Sequence, residues 1–118
     1  MALNEYNYDV IQGDSFVLYF EVTDDQTPPQ PIDITGSQIK MEVKDKPGGK
    51  IVCASCTLGD GITITSAVNG KFTLNITPAK TRKFVFPKSA FQLQLIDSGG
   101  IARTIHKGWF NVDAGVIN

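Results

Sequence analysis

Five stretches of this chain alternate apolar and polar residues with a period of two. Phe16, Leu18, Phe20 and Val22 share one parity, with Ser15, Tyr19 and Glu21 on the other. Ile39, Met41 and Val43 stand against Lys40, Glu42 and Lys44; Ile62 and Ile64 against Thr63 and Thr65. Phe72, Leu74 and Ile76 stand against Lys71, Thr73 and Asn75; Phe91, Leu93 and Leu95 against Gln92 and Gln94. A strand sends successive side chains to opposite faces, so this rhythm describes sheets with one buried face and one wet face. The expected fold class is therefore all-β.

Turn chemistry divides the rest of the chain. Residues 5–11 read as a first strand, with Tyr6, Tyr8 and Val10 on one parity, and Gln12-Gly13-Asp14 as a turn. A strand over 15–23 runs into a polar, proline-rich loop over 24–30 that no strand could contain. Further strands are expected over 37–44, 50–57, 62–65, 71–77, 89–97 and 101–113, with the 50–57 strand and the first strand as candidate sheet edges. Asn69-Gly70 reads as a two-residue hairpin turn, because both residues tolerate positive φ. Thr77-Pro78 opens a short helical turn near residues 78–83, and Phe84-Val85-Phe86-Pro87 then plugs back toward the core. Gly108 is a candidate bend or bulge in the last strand. About eight short strands at this spacing suggest an antiparallel, immunoglobulin-like β-sandwich filling one domain, residues 1–118. The disulfide and tryptophan pattern of antibody domains is absent, so the likeness is one of architecture.

Bulk properties narrow the partners. The chain is 42% hydrophobic and 19% charged, enough to build a core and too apolar for disorder. A formal net charge of −1 argues against nucleic acid as a partner. No apolar run approaches the ~18 residues of a membrane span, so no membrane partner is expected. The start, Met1-Ala2-Leu3-Asn4-Glu5, lacks the basic-then-apolar pattern of a signal peptide, so synthesis and retention in a cytoplasm are expected.

The residues that resemble chemistry have plainer readings. Cys53-Ala54-Ser55-Cys56 has redox or metal spacing, but its flanks read as strand, where i and i+3 point to opposite faces. A structural zinc needs about four ligands, and the single His106 cannot complete the set. His106 itself falls in the run Ala102, Thr104, His106 and reads as a solvated or hydrogen-bonded strand residue. Asp24-Asp25 is the one adjacent acidic pair and reads as loop solvation. The Asn75-Ile76-Thr77 sequon reads as chance without a secretion signal. No catalytic residue, cofactor or metal is therefore expected. Lys80, Arg82, Lys83 and Lys88 interleave with Phe84 and Phe86. Basic and aromatic residues together can grip a nucleic-acid strand. The favoured alternative is a connection whose aromatics plug the sandwich while its lysines face water, and an acidic patch on a partner is a third. Trp109-Phe110 puts two aromatics on opposite faces of one strand, one in the core and one exposed as an interface marker. Candidate interface residues are accordingly Trp109, Tyr6, Tyr8, Lys80, Arg82 and Lys83.

Several of these motifs occur together in one known group. Gln12-Gly13-Asp14-Ser15-Phe16 precedes the second strand, and Pro31-Ile32-Asp33-Ile34-Thr35-Gly36 precedes Ile39-x-Met41-x-Val43-Lys44. Gly61-Ile62-Thr63-Ile64-Thr65 is followed by Asn69-Gly70-Lys71-Phe72-Thr73-Leu74-Asn75-Ile76-Thr77, and the chain closes with Gly108-Trp109-Phe110-Asn111-Val112. Over roughly residues 8–113 the chain resembles small tailed-phage virion proteins, and is similar to the N-terminal domain of phage baseplate upper proteins. The resemblance implies a non-enzymatic structural component of a tailed bacteriophage particle, in the tail, baseplate or fibre-attachment region. Its location would be the virion, and its partners other virion proteins and copies of itself. Full baseplate upper proteins carry further domains, so the anchoring module alone, repeated by symmetry, is implied. Capsid decoration is one alternative. A host-glycan-binding module using Trp109 with Tyr6 or Tyr8 is another.

Overall fold

Every alternating run becomes a strand with its apolar parity inward. The structure, a computed structural model, describes residues 5–24 and 26–115. The elements are β1 (Glu5–Ile11), β2 (Phe16–Glu21), β3 (Gln38–Lys44), β4 (Val52–Leu58), β5 (Gly61–Ser66), β6 (Lys71–Ile76), α1 (Pro78–Thr81), β7 (Lys88–Ile96) and β8 (Ala102–Asp113). Ile39, Met41, Val43, Phe72, Leu74, Ile76, Phe91, Leu93 and Leu95 are buried in one cluster with Phe110 and Val112. Each such side chain, taken fully out of water, contributes roughly 1.5–3 kcal/mol.

All eight strands belong to one sheet, in the order β1-β8-β7-β3-β4-β5-β6-β2. The sheet folds over on itself. Phe16 of β2 meets Tyr8 of β1 and Phe110 of β8, with ring centroids 5.6 and 5.3 Å apart, although five strands separate β2 from β8 in the order. β3, β7 and β8 make one leaf and β2, β6 and β5 the other, which is the arrangement of strands C, F, G against B, E, D in an immunoglobulin sandwich.

Four details differ from the sequence expectation. First, two neighbouring pairs run parallel: β1 with β8, and β4 with β5 over Thr57–Gly61 and Leu58–Ile62. Second, β4 is not an edge. It lies between β3 and β5 and carries the chain from one leaf to the other. Third, the β5–β6 connection is a four-residue turn, Ala67 to Gly70, closed by the Gly70 N–H donating to the Ala67 carbonyl at 3.1 Å. Of these four residues only Gly70 has positive φ, +67°. A Cβ there would lie 2.6 Å from the Ile32 carbonyl oxygen, so the glycine also makes room for the neighbouring loop.

Fourth, the irregularity in β8 is not at Gly108. Leu93 faces His106 while Gln94 faces Thr104, so Ile105 is the extra residue of a bulge. Gly108 pairs regularly with Phe91 on one side and Tyr6 on the other. Its missing side chain serves another purpose: a Cβ would fall 1.8 Å from the Tyr6 carbonyl oxygen.

Candidate interaction surfaces

The bulge at Ile105 decides where His106 points. It breaks the parity that joined His106 to Thr104, and turns His106 onto the inward face with Gly108, Phe110 and Val112. There His106 is half-buried. Its Nε2 and the Tyr8 hydroxyl share a 2.8 Å hydrogen bond, and its ring stacks on Tyr6 at 4.2 Å. Phe20 meets it edge-on, with ring centroids 5.0 Å apart. Burial holds the imidazole pKa below its ordinary value. The Tyr8 phenol is pushed up by burial and then by Tyr6. This cluster cements β1 and β8 to the opposite leaf, and uses the polar atoms of His106 and Tyr8 on each other.

Tyr6 and Tyr8 therefore belong to the inner face, Tyr6 with 43% of its surface exposed at the rim. Trp109 lies on the outer face, opposite Asn7. Gly108, between Tyr6 and Trp109, is the residue whose parity separates them. The expected pairing of Trp109 with Tyr6 or Tyr8 around a saccharide is thus not made: a sheet stands between them. Trp109 is half-buried, with the Lys88 ammonium 5.0 Å from its ring centroid. It walls a shallow outer groove of about 320 Å³, whose other members include Lys40, Glu42, Lys44, Gln92 and Lys107.

The basic segment divides in the same way. Lys80 does not face water as a free cation. Its Nζ donates to Asp60 Oδ1 at 2.8 Å and to the Ser55 carbonyl at 2.7 Å, and approaches Cys56 Sγ at 3.7 Å. Burial opposes its charge, but Asp60 and the Cys56 thiol outweigh it and hold the Lys80 pKa above ordinary. Lys80 thus ties α1 to the β4–β5 corner, while Arg82 and Lys83 are exposed. Pro78 opens α1 as expected; Thr77 occupies the cap position without a side-chain capping bond. Phe84 plugs the core, 2% exposed and stacked on Phe110 at 5.1 Å. Phe86 does not: it is 59% exposed, beside exposed Val85.

Cys53 and Cys56 share β4 with opposite parity, Cys56 buried and Cys53 half-buried, and burial raises both thiols above their usual pKa. Asp24 braces its own loop by accepting from the Gln26 and Gln30 amides. Its neighbour Asp25, like residues Met1–Asn4, lies outside the described residues.

β1 and β2 are the two edges of the sheet. β1 was an expected edge; β2 was not. No family model and no curated protein matches this chain. Its surfaces must be read from their own chemistry.

The feature that sequence reading missed is Tyr19. The alternation of β2 puts it on the wet parity with Ser15 and Glu21 and does not set it apart from them. It is 82% exposed, with Val17 at 42% beside it on the same outer face. The signal was present as five consecutive apolar or aromatic residues, Phe16-Val17-Leu18-Tyr19-Phe20, which a strand wet on one face does not need.

Proposed function

We propose that this protein is a non-enzymatic structural component of a tailed-phage particle, acting by assembly in the tail or baseplate region. The observation that carries this reading is the pair of open sheet edges on an otherwise self-contained sandwich. Among the described residues, β1 and β2 each offer a row of backbone donors and acceptors with no strand neighbour on one side. Unpaired edges of this kind accept a strand from another chain. The resemblance to virion building blocks in the Gln12-Gly13-Asp14-Ser15-Phe16 and Pro31-Ile32-Asp33-Ile34-Thr35-Gly36 segments supports the same reading. The polar residues that would be first suspects for chemistry are engaged in packing: His106 with Tyr8, Lys80 with Asp60. Weak edge contacts gain strength when symmetry repeats them, because each later contact forms at high effective concentration.

The test is a proteomic count and a reconstruction of purified particles from the phage or prophage that encodes the chain. The expected result is the sandwich in density at the tail, in a multiple of three or six copies. Hundreds of copies on the head would replace the tail reading by capsid decoration. Absence from the purified particle would end the proposal.

A further inference from the structure

We infer that the free edge of β2 pairs with the same edge of a second copy of this chain, antiparallel, about a twofold axis through Leu18. This names a partner for the assembly reading and rests on it.

The two edges of the sheet are not equivalent. β1 carries Glu5, Asn7 and Asp9 along its outer face, and charged edge residues discourage pairing with another chain. β2 is protected only at its end, by Glu21. From Phe16 to Phe20 it holds no charge and no proline, and its register with β6 runs without a bulge from Phe16–Ile76 to Glu21–Lys71. Its outer face exposes Tyr19 and Val17. A regular, uncharged, aromatic edge is a pairing template.

Register then selects the partner. Two copies related by a twofold axis normal to the sheet must place residues of equal parity opposite each other, so the axis passes through a residue. Two axes give the longest overlap within the strand. An axis through Leu18 sets Val17 against the partner copy's Tyr19, Phe16 against its Phe20, and Glu21 against its Ser15. Both exposed outer side chains then meet in aromatic–β-branched cross-strand pairs, a favourable combination. An axis through Tyr19 sets Val17 against Glu21 and Phe16 against Val22. That register puts an apolar side chain opposite a charge and gives up both aromatic–β-branched pairs. The edge is therefore self-complementary in one register. Five strand pairs bury less than the ~1,200 Å² of a stable interface, so the contact is weak between free copies and suited to repetition in an assembly.

Cysteine cross-linking reads both the contact and its register. In a Cys53→Ser background, Val17→Cys and Tyr19→Cys are oxidised separately and as an equimolar mixture at about 1 mM. Directly opposed Cβ atoms lie ~4.5–5.5 Å apart, at the margin of disulfide reach. The mixture is expected to give at least about fivefold more dimer than either variant alone, because Val17 faces Tyr19. Adding Ser15→Lys and Glu21→Lys, exposed positions that this register sets opposite each other as like charges, is expected to abolish it, with circular dichroism verifying the fold. Equal cross-linking of Tyr19→Cys with itself, or no dimer in any mixture, overturns the inference. Neither result touches the particle assignment, which the copy count decides separately.

Discussion

His106 is the residue whose surroundings differ most from its sequence neighbourhood. Strict alternation places it with Thr104; one extra residue at Ile105 reverses it into the aromatic cluster of Tyr6, Tyr8, Phe20 and Phe91. Bulges carry no strong composition signal when the extra residue is an ordinary apolar one, so this reversal was not legible in the sequence. Its consequence is a pH dependence. The folded imidazole has its pKa lowered by burial from the ordinary value of about 6.5. The unfolded chain then binds more protons near and below that value, so stability rises with pH there. The His106 contribution is fully present above about 6.5 and is lost as pH falls through the lowered folded value. Urea midpoints at pH 5 and pH 7.5 are expected to differ more for the native chain than for His106→Gln. An equal pH response in the two proteins would place the imidazole in water.

At the scale of elements, the strands were legible because burial on one face writes itself into the sequence. β1 spans the residues expected of it; β3, β6 and β8 differ by one residue at one end, and β7 by one at each. The order of strands was less legible. Residues 50–57 have the weak, mixed pattern of an edge, Lys50-Ile51-Val52-Cys53-Ala54-Ser55-Cys56-Thr57, yet β4 is enclosed. Its small residues suit a strand that turns a corner between leaves, where bulk on either side would crowd. Partner choice depends on residues distant in the chain, which a local period cannot report. Gly108 makes the same point for β1. The parallel pairing of β1 with β8 brings the Tyr6 backbone where a Gly108 side chain would sit, 1.8 Å from a built Cβ. Gly108→Ala is expected to cost on the order of 3 kcal/mol, as overpacking of a tight contact does. Hydrogen exchange locates the damage: amides of β1 should lose protection while those of β5 and β6 keep it. Uniform loss across the sheet would mean that β1 is not a separable unit.

For the molecule as a whole, a sheet folded over on itself must be held closed at the corner where its strands change leaf. The apolar core does most of this, since Phe16, Phe84, Phe91 and Phe110 interlock across the leaves. The corner itself is held by one cation. Lys80 comes from the helical connection between β6 and β7, which also crosses between leaves, and its ammonium reaches Asp60 and the Ser55 carbonyl at the β4–β5 corner. Two of the leaf-to-leaf crossings are thereby joined. The side chain of Lys80 is 21% exposed and that of Asp60 68%, so water screens the charge pair and the salt bridge alone is worth little. The bond to the Ser55 carbonyl adds a charge-assisted contact worth roughly 1.5–3 kcal/mol. Lys80→Met, which keeps the stem and removes the ammonium, is therefore expected to destabilise the fold by about 1–2 kcal/mol. Asp60→Asn should cost less, because the carbonyl contact survives. Chemical denaturation of the two variants compares these terms. If Asp60→Asn proved as costly as Lys80→Met, the ion pair and not the carbonyl would be holding the corner, and high salt would then have to weaken the native protein to the same extent.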